Sequence, residues 1–449
     1  MARQPWKPRE FIYEFTDEDL TASAGLGPLI DLFVASPQYA KLRECLPPRK
    51  SNASFDTGHF ALSLLSGFWY GHDSLDDLEE FERDPGIEDK LGELPSARAV
   101  GDWLRDFSPD LRSKLCRYLA RQALSCRRQL GNSEPVTIDL DSTSHEQSGV
   151  KMEGLGINYD GKWCLDSLVA YDELGLCYGM DLRPGATFSA QGAPAMIESI
   201  FSNFSFKEEK HFRADSAFCN EEVIRACLAK GAKFTITMHG NTGWENRMPE
   251  ITAWTPWEYS KEEREAALSK KRELPKVELG SFFYQPGWSE NLRFPCVVKR
   301  TWVEGADLFG AGHWKHYAVL SNRNLLTNSL QIIMEHHAKR GNAENFIREE
   351  KYAYDLKHFP CQKIAANHAY GMLALVAHNF LRTIALLYRP DKPHFSKKLR
   401  RRFIFLPGKL IKHARQLVMK IPRRFMREVM LMREWTRAAT SSTALARGT

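Results

Sequence analysis

Three acidic residues carry the chemistry this sequence could perform. Asp141 closes the alternating run Val136-Thr-Ile-Asp-Leu-Asp141, Asp215 closes His211-Phe-Arg-Ala-Asp215, and Glu344 lies in the charged stretch from His337 to Lys351. Convergent carboxylates cannot all stay ionised without a cation among them. Two divalent metals about 4 Å apart would neutralise them and serve phosphodiester chemistry, one activating a water or 3′-hydroxyl and the other stabilising the leaving oxygen. All-oxygen donors favour Mg²⁺ or Mn²⁺ over zinc. Asp139 precedes Asp141 by two residues and shares its strand face, so it is the alternate first ligand.

The stretch around Glu344 reads as one long helix. Arg340 is four residues before Glu344, Lys351 seven after and His337 seven before, so all four share one face. The competing reading is an ordinary solvated stripe. Glu349 and Glu350 fall more than about 100° off that face and are expected to point to solvent.

These residues need a scaffold. Residues 1–130 read as helical, with Ser96 placed to cap one helix and Pro109 to open a basic one. From Pro135 the periodicity changes to two, giving strands at Val136–Asp141, Trp163–Tyr171 and Leu176–Leu182, a helix over Gln191–Phe204, and a strand at His211–Asp215. A helix capped by Asn220 and a strand at Lys233–Met238 complete a β-β-β-α-β-α-β unit. Residues 240–324 read as a β-rich insertion containing tryptophans 244, 254, 257, 288, 302 and 314. The chain turns helical again over 325–388. The tail, 389–449, is basic: Arg389 to Arg437 holds sixteen Lys and Arg against three acids. Leu410, Ile411, Leu417 and Val418, set among cations, suggest amphipathic helices, and the charge suits phosphate.

A 449-residue chain with 43% hydrophobic and 26% charged residues fits a globular protein with several domains. Nine scattered cysteines form no CxxC pair, against zinc-finger and thioredoxin chemistry and in favour of reduced thiols in the cytoplasm. The opening Met-Ala-Arg-Gln-Pro-Trp does not read as a signal peptide, and Met372–Tyr388, interrupted by His378, Asn379 and Arg382, reads as a buried helix rather than a membrane span. Dinucleotide, Walker A and Gly-x-Ser-x-Gly motifs are absent.

Taken together, Ile138-Asp-Leu-Asp141-Ser-Thr143, Leu182-Arg-Pro-Gly185, Arg213-Ala-Asp215-Ser-Ala-Phe218 and Asn342-Ala-Glu344 resemble the DDE transposases of bacterial insertion sequences. Phe359-Pro-Cys361 and Ala366-Asn367 extend the resemblance, which spans about Leu20 to Arg437. Arg340, Glu344 and Lys351 match the spacing of the group's Y-(2)-R-(3)-E-(6)-K signature, with His337 at the tyrosine position. The resemblance implies an α/β, ribonuclease-H-like core over 131–239 and 325–388, carrying the β-rich insertion and flanked by a DNA-binding or dimerising N-terminal region and a basic C-terminal one. It implies Asp141, Asp215 and Glu344 as catalytic metal ligands, two Mg²⁺ or Mn²⁺ per site, and DNA contacts from His337, Arg340, Lys351 and Arg183. A structural turn role is the alternative for Arg183. Trp288, Trp302 or Trp314 would be candidates to stack on a flipped base, a packed core position being the alternative. The expected partners are terminal inverted repeats, target DNA and a second protomer on the paired ends, with no membrane, in the bacterial cytoplasm at the nucleoid. Rival readings are a catalytically inactive DNA-binding descendant and a metal-dependent nuclease without strand transfer.

Overall fold

The computed structural model describes residues 11–148, 151–158, 160–205, 208–240, 243–305, 312–413 and 416–447. The opening hexapeptide and residues 306–311 of the expected insertion lie outside them. A short strand β1 (Leu20–Thr21) precedes helices α1 (Leu26–Ala35), α2 (Pro37–Arg43), α3 (Thr57–Tyr70), α4 (Asp77–Phe81), α5 (Pro85–Leu91), α6 (Ala97–Arg105) and α7 (Pro109–Gln129). Their starts follow the capping signals: Asp56, Ser96 and Ser108 each accept a backbone N–H from the first helical turn.

Next come β2 (Val136–Glu146), β3 (Gly156–Ile157), β4 (Trp163–Asp172), β5 (Cys177–Pro184), α8 (Ala193–Phe201), β6 (Lys210–Ala214), α9 (Glu221–Ala229) and β7 (Lys233–Thr237). β4 is antiparallel to both β2 and β5, while β2, β6 and β7 run parallel. The resulting order β5-β4-β2-β6-β7 is a ribonuclease-H-like core. Parallel strands need crossovers, and α8 and α9 supply them.

The insertion contributes β8 (Thr255–Pro256), α10 (Lys261–Ser269), β9 (Val277–Tyr284), β10 (Phe294–Val303) and β11 (His313–Ser321). It does more than interrupt the unit. β11 pairs antiparallel with β7, and β10, β9 and β8 follow, so the insertion prolongs the same sheet. The segments α11 (Leu330–Ala338), α12 (Ala343–Ala353), α13 (Ile364–Tyr388), α14 (Ser396–Phe403), β12 (Gly408–His413), β13 (Gln416–Lys420) and α15 (Met426–Arg447) complete the chain.

The helical tail expected from Leu410, Ile411, Leu417 and Val418 is instead a hairpin of β12 and β13, with β1 on its other side. The two alternating runs are separated by two residues, which is hairpin spacing and outweighs the helical reading. Not all of the tail's charge is solvated: Arg400 is buried and donates to the carbonyls of Phe68, Trp69 and Ala353.

Two apolar cores flank the sheet. On one side α3, α6, α12 and α13 gather Trp69, Trp103, Tyr354 and Tyr370; on the other α8 and α9 cover Phe212, Phe234 and Ile236. α13 alone among the described helices is long and apolar enough to cross a membrane, but it is buried almost throughout. It is the core helix expected from its internal polar residues: Asn379 accepts from the amide of Cys177 and donates to its carbonyl, fixing the helix to β5.

Candidate active site

Strand register brings the first two acids together. β2 and β6 are parallel with Asp139 opposite Arg213. Two residues further along each strand stand Asp141 and Asp215, on the same face of strands spaced about 4.8 Å apart. Asp215 lies just beyond β6, where its Oδ1 accepts the amide of Ala217 and starts a 3₁₀ turn. Asp141 accepts the amide of Ser142 at 2.8 Å. Burial, then the neighbouring negative charge of Asp215, push the Asp141 carboxyl up to about 6, against the opposing pull of Arg340.

Asp139 is differently placed. It is 2% exposed, and both its oxygens are taken by Arg213, at 2.6 and 2.7 Å. Arg213 also donates to the carbonyl of His336 at 2.7 Å, tying the sheet to the end of α11. The pair forms a buried layer one step below Asp141 and Asp215.

The stretch expected as a continuous helix from His337 to Lys351 is broken. Lys339–Asn342 winds as a 3₁₀ turn between α11 and α12. Gly341 and Asn342 are poor helix formers, and four residues at 120° rather than 100° turn the following face by about 80°. The charged stripe is therefore split. His337 faces the sheet and is 2% exposed, its ring held by Thr235, Thr237 and the Tyr317 hydroxyl at 3.2, 3.0 and 2.9 Å. Burial, then Arg340, lower its pKa to about 4, so the ring is neutral. The ring is packed away from solvent inside the protein. Tyr317, which no sequence signal singled out, is the exposed member of this group on β11.

Arg340 points at the carboxylates, 3.5 Å from Asp141 and 3.3 Å from Glu344. The Glu344 side chain is 65% exposed, at the start of α12. Lys351 donates to the carbonyl of Ser144 on β2 at 2.7 Å, and burial lowers its pKa. Arg183 is not available to a phosphate. It is buried against Asp166 and donates to the carbonyls of Ser189 and Gln191, holding the turn after β5.

Glu349 and Glu350, expected in solvent, are buried. They lie on the side of α12 opposite Glu344, and the neighbouring elements cover that side. Ser396 donates twice to Glu349, and the Tyr171 hydroxyl donates to Glu350. Burial pushes Glu350 up to about 7. The unfolded chain thus releases this proton near 4.5 and the folded one near 7, so stability falls as pH rises through that window. Glu350→Gln keeps an acceptor for Tyr171 and removes the penalty. Its denaturation midpoint should exceed that of the parent at pH 8 and approach it at pH 4, the gain at pH 8 being on the order of 3 kcal/mol.

The three candidate tryptophans of the insertion are paired with cations or with each other. Arg225 lies over Trp288, Trp302 meets Trp314 edge to face at 5.3 Å across the β10–β11 ladder, and Arg300 lies over Trp314. All three are half-buried.

Among the described residues, no three His, Cys, Asp or Glu side chains converge closely enough to hold a metal. The donor set nonetheless fits a hard divalent cation: carboxylate oxygens on two adjacent strands and a facing helix, with the Arg340 guanidinium occupying the place of positive charge between Asp141 and Glu344.

A family model described as "Transposase DDE domain group 1" matches residues 5–442. No curated protein matches the chain.

Proposed function

The chain belongs to the DDE transposase family, and from that premise we propose that it binds the terminal inverted repeats of an insertion sequence, cleaves at the element ends and joins the freed 3′-hydroxyls to target DNA. DNA binding, divalent metal use and nuclease or strand-transfer chemistry are general to this family. The reading rests above all on Asp141 on β2 and Asp215 just past the end of the parallel strand β6, close enough for their charges to interact, with Arg340 bridging from Asp141 toward Glu344.

Asp141, Asp215 and Glu344 would hold two Mg²⁺ or Mn²⁺ ions. When bound, these would activate the attacking oxygen and stabilise the leaving one. The Arg340 guanidinium, freed from the carboxylates, reaches a phosphate beside the scissile bond. Lys351 adds positive charge at the same edge of β2. His337 acts from within the protein, bracing the Arg340 turn against the sheet. Arg183 holds a turn rather than DNA. The group signature is therefore carried by Arg340, Glu344 and Lys351. Asp139 takes a supporting role, since Arg213 already uses both of its oxygens.

The 131–239 and 325–388 segments form the catalytic unit in this reading, with 240–324 inserted into it. The regions 1–130 and 389–449 bind the ends or a second protomer, because ordered joining requires two ends to be held together. Such a protein works in the cytoplasm on nucleoid DNA.

The test uses a pre-cut end with a free 3′-hydroxyl, a supercoiled plasmid and Mg²⁺. Joined product is the expected result. Cleavage of uncut ends without any joining would assign the protein to the metal-dependent nucleases instead.

A further inference from the structure

The described part of the N-terminal segment begins with a run of large apolar side chains left in solvent. Phe11, Ile12, Tyr13 and Phe15 are 79, 93, 82 and 100% exposed. Burying such side chains contributes about 1.5–3 kcal/mol each, so leaving four of them in water within five residues is costly unless something covers them. The run alternates, and in an extended conformation Phe11, Tyr13 and Phe15 point the same way. Acids follow at Glu14, Asp17, Glu18 and Asp19.

A groove of about 800 Å³ opens between the small β1-β12-β13 sheet, the link from β1 into α1, α1 itself, α5 and α15. Leu417, Met419 and Ile421 line it from β13 and the residue after it, Leu410 from β12 and Val429 from α15. Among the described residues, β13 is an outer strand paired only with β12. Lys420, Arg423 and Arg424, all exposed, flank it. One part of the molecule thus offers an aromatic strand with acidic flanks, and another a strand edge unpaired among the described residues, flanking cations, and a groove whose apolar floor from β12 and β13 is bordered by Asp31, Asp89, Lys90, Arg433 and Arg437.

The chain's own segment runs along the other edge of this sheet. The carbonyl of Asp19 accepts the amide of Leu410, and Glu18 pairs with Lys409, so the segment leaves the sheet along the β1 edge. β13 is the other edge.

We propose that Phe11–Phe15 of one protomer adds as a strand to the outer edge of β13 in a second copy of the chain, seating Phe11, Tyr13 and Phe15 in the groove. Main-chain hydrogen bonds along the edge supply affinity, and the alternate side chains supply fit. The exchange is reciprocal and closes with twofold symmetry. Three aromatics in each of two arms bury on the order of 900–1,500 Å² of side chain, which reaches the range of stable interfaces, about 1,200–2,000 Å². The inference rests on the two-protomer part of the proposed function and names the surface that joins the protomers.

The experiment uses the full chain without DNA. Tyr13→Cys and Met419→Cys variants are purified separately, mixed and oxidised, with the parent protein as control for the native thiols. A covalent dimer in the mixture and in neither variant alone is the expected result. In parallel, Phe15→Asp should halve the mass measured by light scattering at micromolar concentration with thermal stability of the protomer unchanged, since that side chain is fully exposed in its own protomer. If a chain carrying both cysteine substitutions cross-links at monomer mass, or if the mass is unaffected by Phe15→Asp, the exchange is overturned. Cleavage of end DNA by these variants is read separately, so failure of the arm exchange leaves the transposase reading standing.

Discussion

Asp215→Ala and Glu344→Gln each abolish Mg²⁺-dependent cleavage of end DNA while leaving binding to that DNA in place. Both residues are cheap to alter structurally. Among the described residues the Asp215 side chain accepts one hydrogen bond, from the amide of Ala217, and the Glu344 side chain is 65% exposed with Arg340 as its partner. Their expected value is therefore chemical. A metal clamp on a phosphoryl group lowers the barrier by several kcal/mol, and each 1.36 kcal/mol is tenfold in rate, so loss of one ligand should cost about 10³-fold or more. The Glu344→Gln variant also loses the charge that pairs with Arg340. Freed from that pairing, Arg340 stays available to phosphate, and DNA affinity should hold or rise slightly. The measurements are single-turnover cleavage and a gel-shift titration at fixed salt, because phosphate contacts weaken steeply as salt rises. Cleavage surviving in either variant would end the carboxylate assignment. Binding lost together with cleavage would mean that these acids organise the DNA surface rather than the reaction.

Much of the scaffold was legible because its signals are local. The change of period at Pro135, the Ser and Asn caps, and the two-residue alternation of β2, β4 and β5 each fix an element without reference to anything distant. Burial of α12's far face was not legible in that way. Glu349 and Glu350 look like surface residues on any helical projection, and only the docking of β4 and α14 puts Tyr171 and Ser396 against them. The split of the His337–Lys351 stripe had a visible cue in Gly341-Asn342, but a pattern of seven-residue spacings hides a change in winding. His337 was read as a surface residue for that reason. Its true partners, Thr235, Thr237 and Tyr317, come from β7 and β11, strands 20 to 102 residues away. The tail hairpin was missed because Leu410, Ile411, Leu417 and Val418 satisfy a helical spacing as readily as two short alternating runs. Pairing with β1, near the other end of the chain, settles the choice, and no local window contains it.

Asp139→Ala and Asp141→Ala, two residues apart on one strand, should have opposite effects on stability. Asp139 neutralises Arg213, which is 2% exposed and has no other acid bonded to its guanidinium among the described residues. Removing one partner of a buried pair leaves an uncompensated charge and costs about 3–5 kcal/mol. The loss should appear as a lower denaturant midpoint, and it should be largely recovered in Asp139→Leu combined with Arg213→Met, where the site is apolar throughout. Burial pushes both carboxyls up to about 6, but Asp141 differs in its neighbours: Asp215 stands beside it where Arg213 pairs with Asp139. The folded-state pKa of Asp141 is raised to about 6 by burial and by Asp215, so above that pH its ionised form is held against an unfavourable environment. Replacing it relieves repulsion, and stability at pH 8 should stay level or rise. Activity separates the two again. Asp141→Ala should be inactive yet stable. Asp139→Ala should lose cleavage in proportion to the folded protein lost, with a further decrement because Arg213 also anchors His336 at the base of the turn carrying Arg340. Full activity in Asp141→Ala would transfer the first metal ligand to Asp139 and require Arg213 to release it. A stable, inactive Asp139→Ala would point the same way. The sign of the stability change thus distinguishes a ligand from the ion pair beneath it, where loss of activity alone would not.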